Sequence, residues 1–139
     1  MKAEETLETT ETAHHLGDLQ LAIMRILWEQ GEGTVAEVHE ALEPERGLAL
    51  TTIATMLTKM EKKGVVDHRA EGRKFIFRPR VSEGQVRRSM VADLTSQLFR
   101  GDVTALVNHL LSEHEIDAGE LAQLRELIAS ASRGREEER

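Results

Sequence analysis

At Gly64 the apolar period of this chain changes from that of a helix to that of a strand. Upstream, Leu50, Ile53, Met56, Leu57 and Met60 recur at i, i+3, i+6, i+7 and i+10, one stripe of an amphipathic helix. Downstream, Val65–Val66 and Phe75–Ile76–Phe77 make two β-rich runs separated by "AEGR". That pattern predicts a hairpin of Val65–Arg69 and Arg73–Arg78, closed by Pro79. A glycine stop with Lys62 and Lys63 at the negative helix end, followed directly by a hairpin, leaves few folds open.

The flanking segments narrow the choice further. From Leu16 to Gln30 the apolar residues Leu19, Ile23, Ile26 and Leu27 have helical spacing, and "GEG" at 31–33 stops the run. Thr34 with Glu37 is a capping-box signature, and Val35, Val38 and Leu42 then share one face of a short second helix. "EPERG" at 43–47 reads as a loop. Helix, helix, helix, hairpin over 16–81 is the order of a winged helix-turn-helix. Beyond Pro79, Ser82 with Gln85 and Asp117 with Glu120 are two more capping signals. Around them Val86, Met90, Leu94 and Leu98, then Val103, Leu106, Val107, Leu110 and Leu111, then Leu121, Leu124, Leu127 and Ile128 mark three helices over 82–131. The expected fold class is mainly α with a small β-hairpin wing. An acidic disordered tail is expected at 1–15 and a charged flexible tail at 132–139, since neither segment can bury enough apolar surface to order itself. Three short helices with narrow stripes make a poor core alone, and oligomerisation is one remedy.

Net charge is −7, yet residues 46–80 carry nine Lys or Arg against three acids. Such asymmetry says more about partners than the total does. Cysteine is absent, which excludes disulfides, thiolate nucleophiles and Cys-based metal sites. The six histidines, among them His109 and His114, fall in no metal-binding spacing. There is no P-loop, GxGxxG or GxSxG. No metal, cofactor or enzymatic activity is therefore expected. No apolar run is long enough to cross a membrane, and the acidic N-terminus is no secretory signal, so a cytoplasmic protein is expected.

On the third helix the face opposite the apolar stripe carries Thr51, Thr52, Thr55 and Lys59. A recognition helix enters the major groove with its N-terminal residues on base edges. Threonine suits that place: it is compact, its hydroxyl donates or accepts, and its methyl can meet a thymine methyl. Lys59 and Arg46 are placed for phosphate or a guanine edge. Arg69, Arg73 and Lys74 cluster near the hairpin tip, where they would lie along the flanking backbone. Lys62 and Lys63 read as helix-end charges and Trp28 as a core anchor. The expected partner is double-stranded operator DNA. A winged helix serving only as a protein-interaction module is the alternative, and the acidic total would suit it.

"LGDLQLAIMRILWEQGEGTVAEVHEAL", "LALTTIATMLTKMEKKGVV" and "EGRKFIFRPRVS" resemble the penicillinase repressor (BlaI/MecI) family, and the resemblance extends over roughly Leu16 to Ile128. It implies a homodimeric repressor of β-lactamase-type or other stress-response genes, linked to antibiotic resistance. The region 82–131 would be its dimerisation domain, and the operator would have dyad symmetry. The candidate dimer residues are Val86, Met90, Leu94, Leu98, Val107, Leu110, Leu111, Leu124 and Ile128, a set shared between each protomer's own core and the dimer contact. Family members are induced through a membrane sensor protease. The cleavage position would fall on His109–Leu110 here, where the family's Asn–Phe bond is not kept.

Overall fold

The computed structural model of the protein describes residues 16–138, so the tail expected at 1–15 lies outside the described residues. The chain divides into two compact units, one ending at Asp93 and one beginning at Leu94. The first holds α1 (Asp18–Gln30), β1 (Gly33–Thr34), α2 (Val35–Arg46), α3 (Leu50–Lys63), β2 (Val66–Glu71), β3 (Lys74–Pro79) and the first part of α4 (Glu83–Phe99). The second holds the rest of α4, then α5 (Val103–Glu113) and α6 (Ala118–Glu138).

The core of the first unit is built from the stripes described above. Ile23 and Leu27 of α1, Val38 of α2, and Ile53, Leu57 and Met60 of α3 are completely buried, and Val65, Val66 and Phe77 of the hairpin region are buried with them. Trp28 is only partly buried. Its indole Nε1 donates to the Val81 carbonyl at 2.9 Å, fixing the chain where it leaves the hairpin. Val86 is 2% exposed in this same core and Met90 packs against it. Both had been expected among the dimer candidates. The first turns of α4 thus belong to the protomer's own interior, because a helix leaving a small domain covers apolar surface that its three predecessors leave open.

The three capping signals were legible in sequence, two as full capping boxes and one as a single N-cap bond. Thr34 and Glu37 exchange bonds of 3.2 and 2.9 Å, Ser82 and Gln85 exchange bonds of 3.0 and 2.8 Å, and Asp117 Oδ1 accepts from Glu120 N–H at 2.8 Å. Helix α3 differs. Its N-cap is Ala49, which offers no side-chain bond. Ala49→Ser is expected to stabilise the protein by about 1 kcal/mol, seen as a rise in thermal midpoint.

Four features depart from expectation. The sheet has three strands in the order β1-β3-β2, since Gly33 and Thr34 pair with Phe77 and Ile76. Two residues carry no periodicity to reveal a strand. The hairpin is tighter than expected: Ala70 pairs with Phe75 and Glu71 with Lys74, leaving Gly72 (φ 65) and Arg73 as the turn. A glycine in the first loop position supplies the positive φ of a two-residue turn. "EPER" is the last turn of α2 rather than a loop. Pro44 gives up one helical bond there, but Gly47 closes the helix in the left-handed region with its N–H on Glu43 O at 3.0 Å. Lastly, α6 continues to Glu138 through the segment expected to be a flexible tail. It contains no proline, and Arg133 bonds back to Ser130 at 3.2 Å and Glu126 at 3.4 Å.

Candidate nucleic-acid interface

Helix α3 is held on one face and open on the other. Thr51, Thr52, Thr55 and Lys59 are all exposed, as the apolar stripe requires. At about 100° per residue, Thr51, Thr55, Thr58 and Lys62 fall within an arc of roughly 60° at the centre of the open face, with Thr52 and Lys59 along one flank. Thr58 is not among the residues expected from sequence to face DNA, and Lys62 is expected there only as a helix-end charge. Their i, i+4, i+7, i+11 relation to Thr51 was the signal available. Leu50, assigned to the apolar stripe, is 48% exposed, because it begins the helix before the stripe meets a neighbour.

Polar ties set the attitude of α3 in its unit. Lys63 Nζ donates to Gln20 Oε1 at 2.9 Å, and Gln20 Nε2 to the Met56 thioether at 3.4 Å. Partial burial lowers the Lys63 pKa. His39 Nε2 lies 2.8 Å from the Leu48 carbonyl, joining α2 to the turn before α3. At the other end His68 Nδ1 sits 2.6 Å from Glu61 Oε2. The same imidazole packs on Phe75 and Phe77, with ring centroids 4.3 and 5.4 Å away. The late acid of α3 therefore braces the hairpin.

The cations divide into those paired with carboxylates and those left exposed. Arg46 is not turned outward as a phosphate anchor: its Nη1 pairs with Asp18 Oδ2 at 2.8 Å and its Nε is buried. That hydrogen bond also lowers the Asp18 pKa. Arg69 grips Glu32 with two bonds of 3.2 and 2.7 Å and lies 3.5 Å from Glu71. Arg78 and Arg80 share Asp67 at 2.8 and 3.8 Å. Hydrogen bonds from Arg69 and Arg78 hold the Glu32 and Asp67 carboxyls below their usual range. Such exposed pairs add little stability, but they neutralise much of the positive charge counted along the chain. Glu32 lies outside the basic third, so that compensation was invisible in a segment count. Lys59, Lys62, Arg73 and Lys74 are exposed and make no ion pair among the described residues.

The second unit offers a different surface. Leu98, Val103, Leu127 and Ile128 are 70%, 61%, 65% and 63% exposed, and Leu94, Val107, Leu110, Leu111 and Leu124 are also partly open to solvent. Between α5 and α6 lies a groove of about 650 Å³ floored by Val103, Val107, Leu111 and Ile128. So many large apolar side chains left open are the mark of an association face. His109 and Leu110 lie inside α5, with the His109 ring 6.0 Å from that of Phe99. Cutting between them would require the helix to unwind. Among the described residues no acidic, histidine or cysteine cluster could hold a metal, and no helix is long and apolar enough to cross a membrane.

Comparison with known proteins agrees with this picture. The family profile described as "Penicillinase repressor" matches residues 16–130. The transcriptional regulator BlaI of Mycobacterium tuberculosis is 32% identical over 121 residues, 86% of each chain. The penicillinase repressor of Bacillus licheniformis is 24% identical over 113 residues, 81% of this chain and 88% of its own. Among solved structures, a homodimeric winged helix-turn-helix DNA-binding domain from Mycobacterium bovis superposes with a TM-score of 0.51 at 21% identity, over 84% of this chain and 94% of that one. This last likeness bears on the fold alone.

Proposed function

The chain belongs to the penicillinase repressor family, and from that premise we propose that it is a homodimeric transcriptional repressor in which α3 and the hairpin of each protomer engage one half of a dyad-symmetric operator. The observation that carries this reading is the open face of α3. It presents threonines and lysines and no acid, on a helix whose opposite side buries Ile53, Leu57 and Met60 completely. Thr51, Thr52 and Thr55 meet base edges in the major groove, and Lys59 meets phosphate or a guanine edge. Arg73 and Lys74 at the hairpin tip add sequence-independent affinity. Arg69 contributes through the tip it braces against Glu32. The exposed apolar face of α5 and α6 supports association of two such chains. The relatives carry the names of penicillinase and methicillin-resistance regulators, so resistance genes are the first targets to examine. Sequencing the DNA that co-purifies with the protein identifies them.

The reading is tested by fluorescence anisotropy with a palindromic duplex at two salt concentrations. Binding is expected to fall steeply with salt, by a log–log slope of about −0.9 per phosphate neutralised. Absent or salt-independent binding would overturn it. Within that assay Thr52→Ala is expected to weaken operator binding by about 1–3 kcal/mol while leaving random-duplex binding unchanged. Lys74→Ala should weaken both alike and reduce the salt slope by about 1.

A further inference from the structure

Thr58 is the one threonine of the open α3 face whose hydroxyl proton is already committed: Oγ1 donates to the Ala54 carbonyl at 3.0 Å. The hydroxyls of Thr51, Thr52 and Thr55 make no bond among the described residues and are free to donate or accept. A hydroxyl has one proton and two lone pairs. Once the proton is spent inside the helix, the oxygen can only accept, and its rotamer is fixed. Thr58 also stands in line with Thr51 and Thr55, followed one turn later by Lys62. At about 1.5 Å per residue that line is roughly 16 Å long, the length of a helix lying along a groove rather than entering it by its tip.

Resting on the operator-binding reading above, we propose that Thr58 is a specificity-determining residue, reading one exocyclic amino group in the major groove, adenine N6 or cytosine N4. Only these two bases present an amino donor there; guanine offers acceptors and thymine an acceptor and a methyl. An acceptor with no proton to give discriminates between the two classes, whereas a free hydroxyl tolerates both. Lys62, a pure donor one turn away, cannot supply this preference. The same back-bond orients the Thr58 oxygen before DNA arrives, so the contact does not have to fix a rotamer on binding.

The test is selection from a randomised duplex pool by the full-length protein, its Thr58→Val variant and its Thr58→Ser variant, followed by affinities for the wild-type consensus and for a scrambled duplex. Valine keeps the shape and methyl and removes the acceptor; serine keeps the acceptor. Wild type is expected to enrich a dyad motif. Thr58→Val is expected to lose the A-or-C preference at one position of each half-site, with about a fivefold loss of consensus affinity and none on the scrambled duplex. Thr58→Ser is expected to retain the preference. If wild type enriches a motif and Thr58→Val keeps every base preference, the role of Thr58 is overturned while the repressor reading stands. Equal weakening on both duplexes makes Thr58 a backbone contact and likewise overturns it. A preference lost in Thr58→Ser but kept in Thr58→Val assigns the contact to the methyl and overturns the acceptor role. If wild type enriches no motif, the operator-binding reading itself fails and this proposal with it.

Discussion

Ile128→Glu is expected to yield a monomer by light scattering at micromolar concentration and to cost roughly 10²–10⁴-fold in affinity for a dyad operator. The reasoning starts from exposure. Ile128 is 63% exposed in the protomer and lines the groove between α5 and α6. A carboxylate there meets water in the isolated chain, so the protomer fold is untouched and the circular dichroism spectrum should be unchanged. In a dimer that closes over this face, the same carboxylate is buried among Val103, Val107 and Leu111, and it is left unpaired unless Arg135, which also lines the groove, turns to meet it. Burying an unpaired charge costs several kcal/mol, enough to dissociate a modest interface. Once the protomers separate, each half-site binds alone and the effective concentration supplied by the linked second half is lost. Ile128→Val, which keeps the apolar surface, should remain dimeric. A dimer persisting in Ile128→Glu would move the interface away from the α5–α6 groove.

Leu57→Ala is expected to destabilise the first unit by about 2–5 kcal/mol, a drop in thermal midpoint of about 10 °C or more. Leu57 is completely buried between α3 and its neighbours, so truncation removes apolar contact and leaves a cavity that the surrounding helices fill only in part. Operator binding should weaken along with stability, since the same contact holds the threonine face in its attitude. Leu50→Ala is the control. Both leucines belong to one helical stripe in the sequence, yet Leu50 is 48% exposed, and its truncation should stay within about 0.5 kcal/mol. Thermal unfolding of the two variants side by side checks the distinction.

The pair of leucines shows where the amino-acid pattern stops being informative. Periodicity states which side of a helix is apolar, but not how far along its length a neighbour reaches. The open face of α3 was legible because it is the complement of that stripe: once Ile53, Leu57 and Met60 face inward, Thr51, Thr55 and Lys59 face outward by helix geometry. Thr58 and Lys62 obey the same geometry, although Thr58 lies beyond the helix start and Lys62 also suits the negative helix end. The partners of Arg46 and Arg69 were hidden for another reason. A cation in a basic stretch is available to a phosphate only if no carboxylate reaches it first. Asp18 and Glu32 lie 28 and 37 residues away in sequence.

By itself the sequence determined what is local or additive along the chain. That includes the helices and their three capped starts, the glycine stop at Gly64, the hairpin after it, the inward stripe and outward threonines of α3, and the family whose profile spans nearly all of it. These follow from backbone propensity and from residues within a turn or two of one another. Only the tertiary structure decided the contacts between distant segments. It paired Gly33–Thr34 with β3 as a third strand and committed Val86 and Met90 to the protomer core. It tied Trp28 to Val81 and set Arg46, Arg69 and Arg78 on carboxylates while leaving Lys59, Lys62 and Lys74 exposed. It also exposed the apolar face of α5 and α6. Burial and ion pairing depend on which surfaces meet in space, and no local period encodes that meeting.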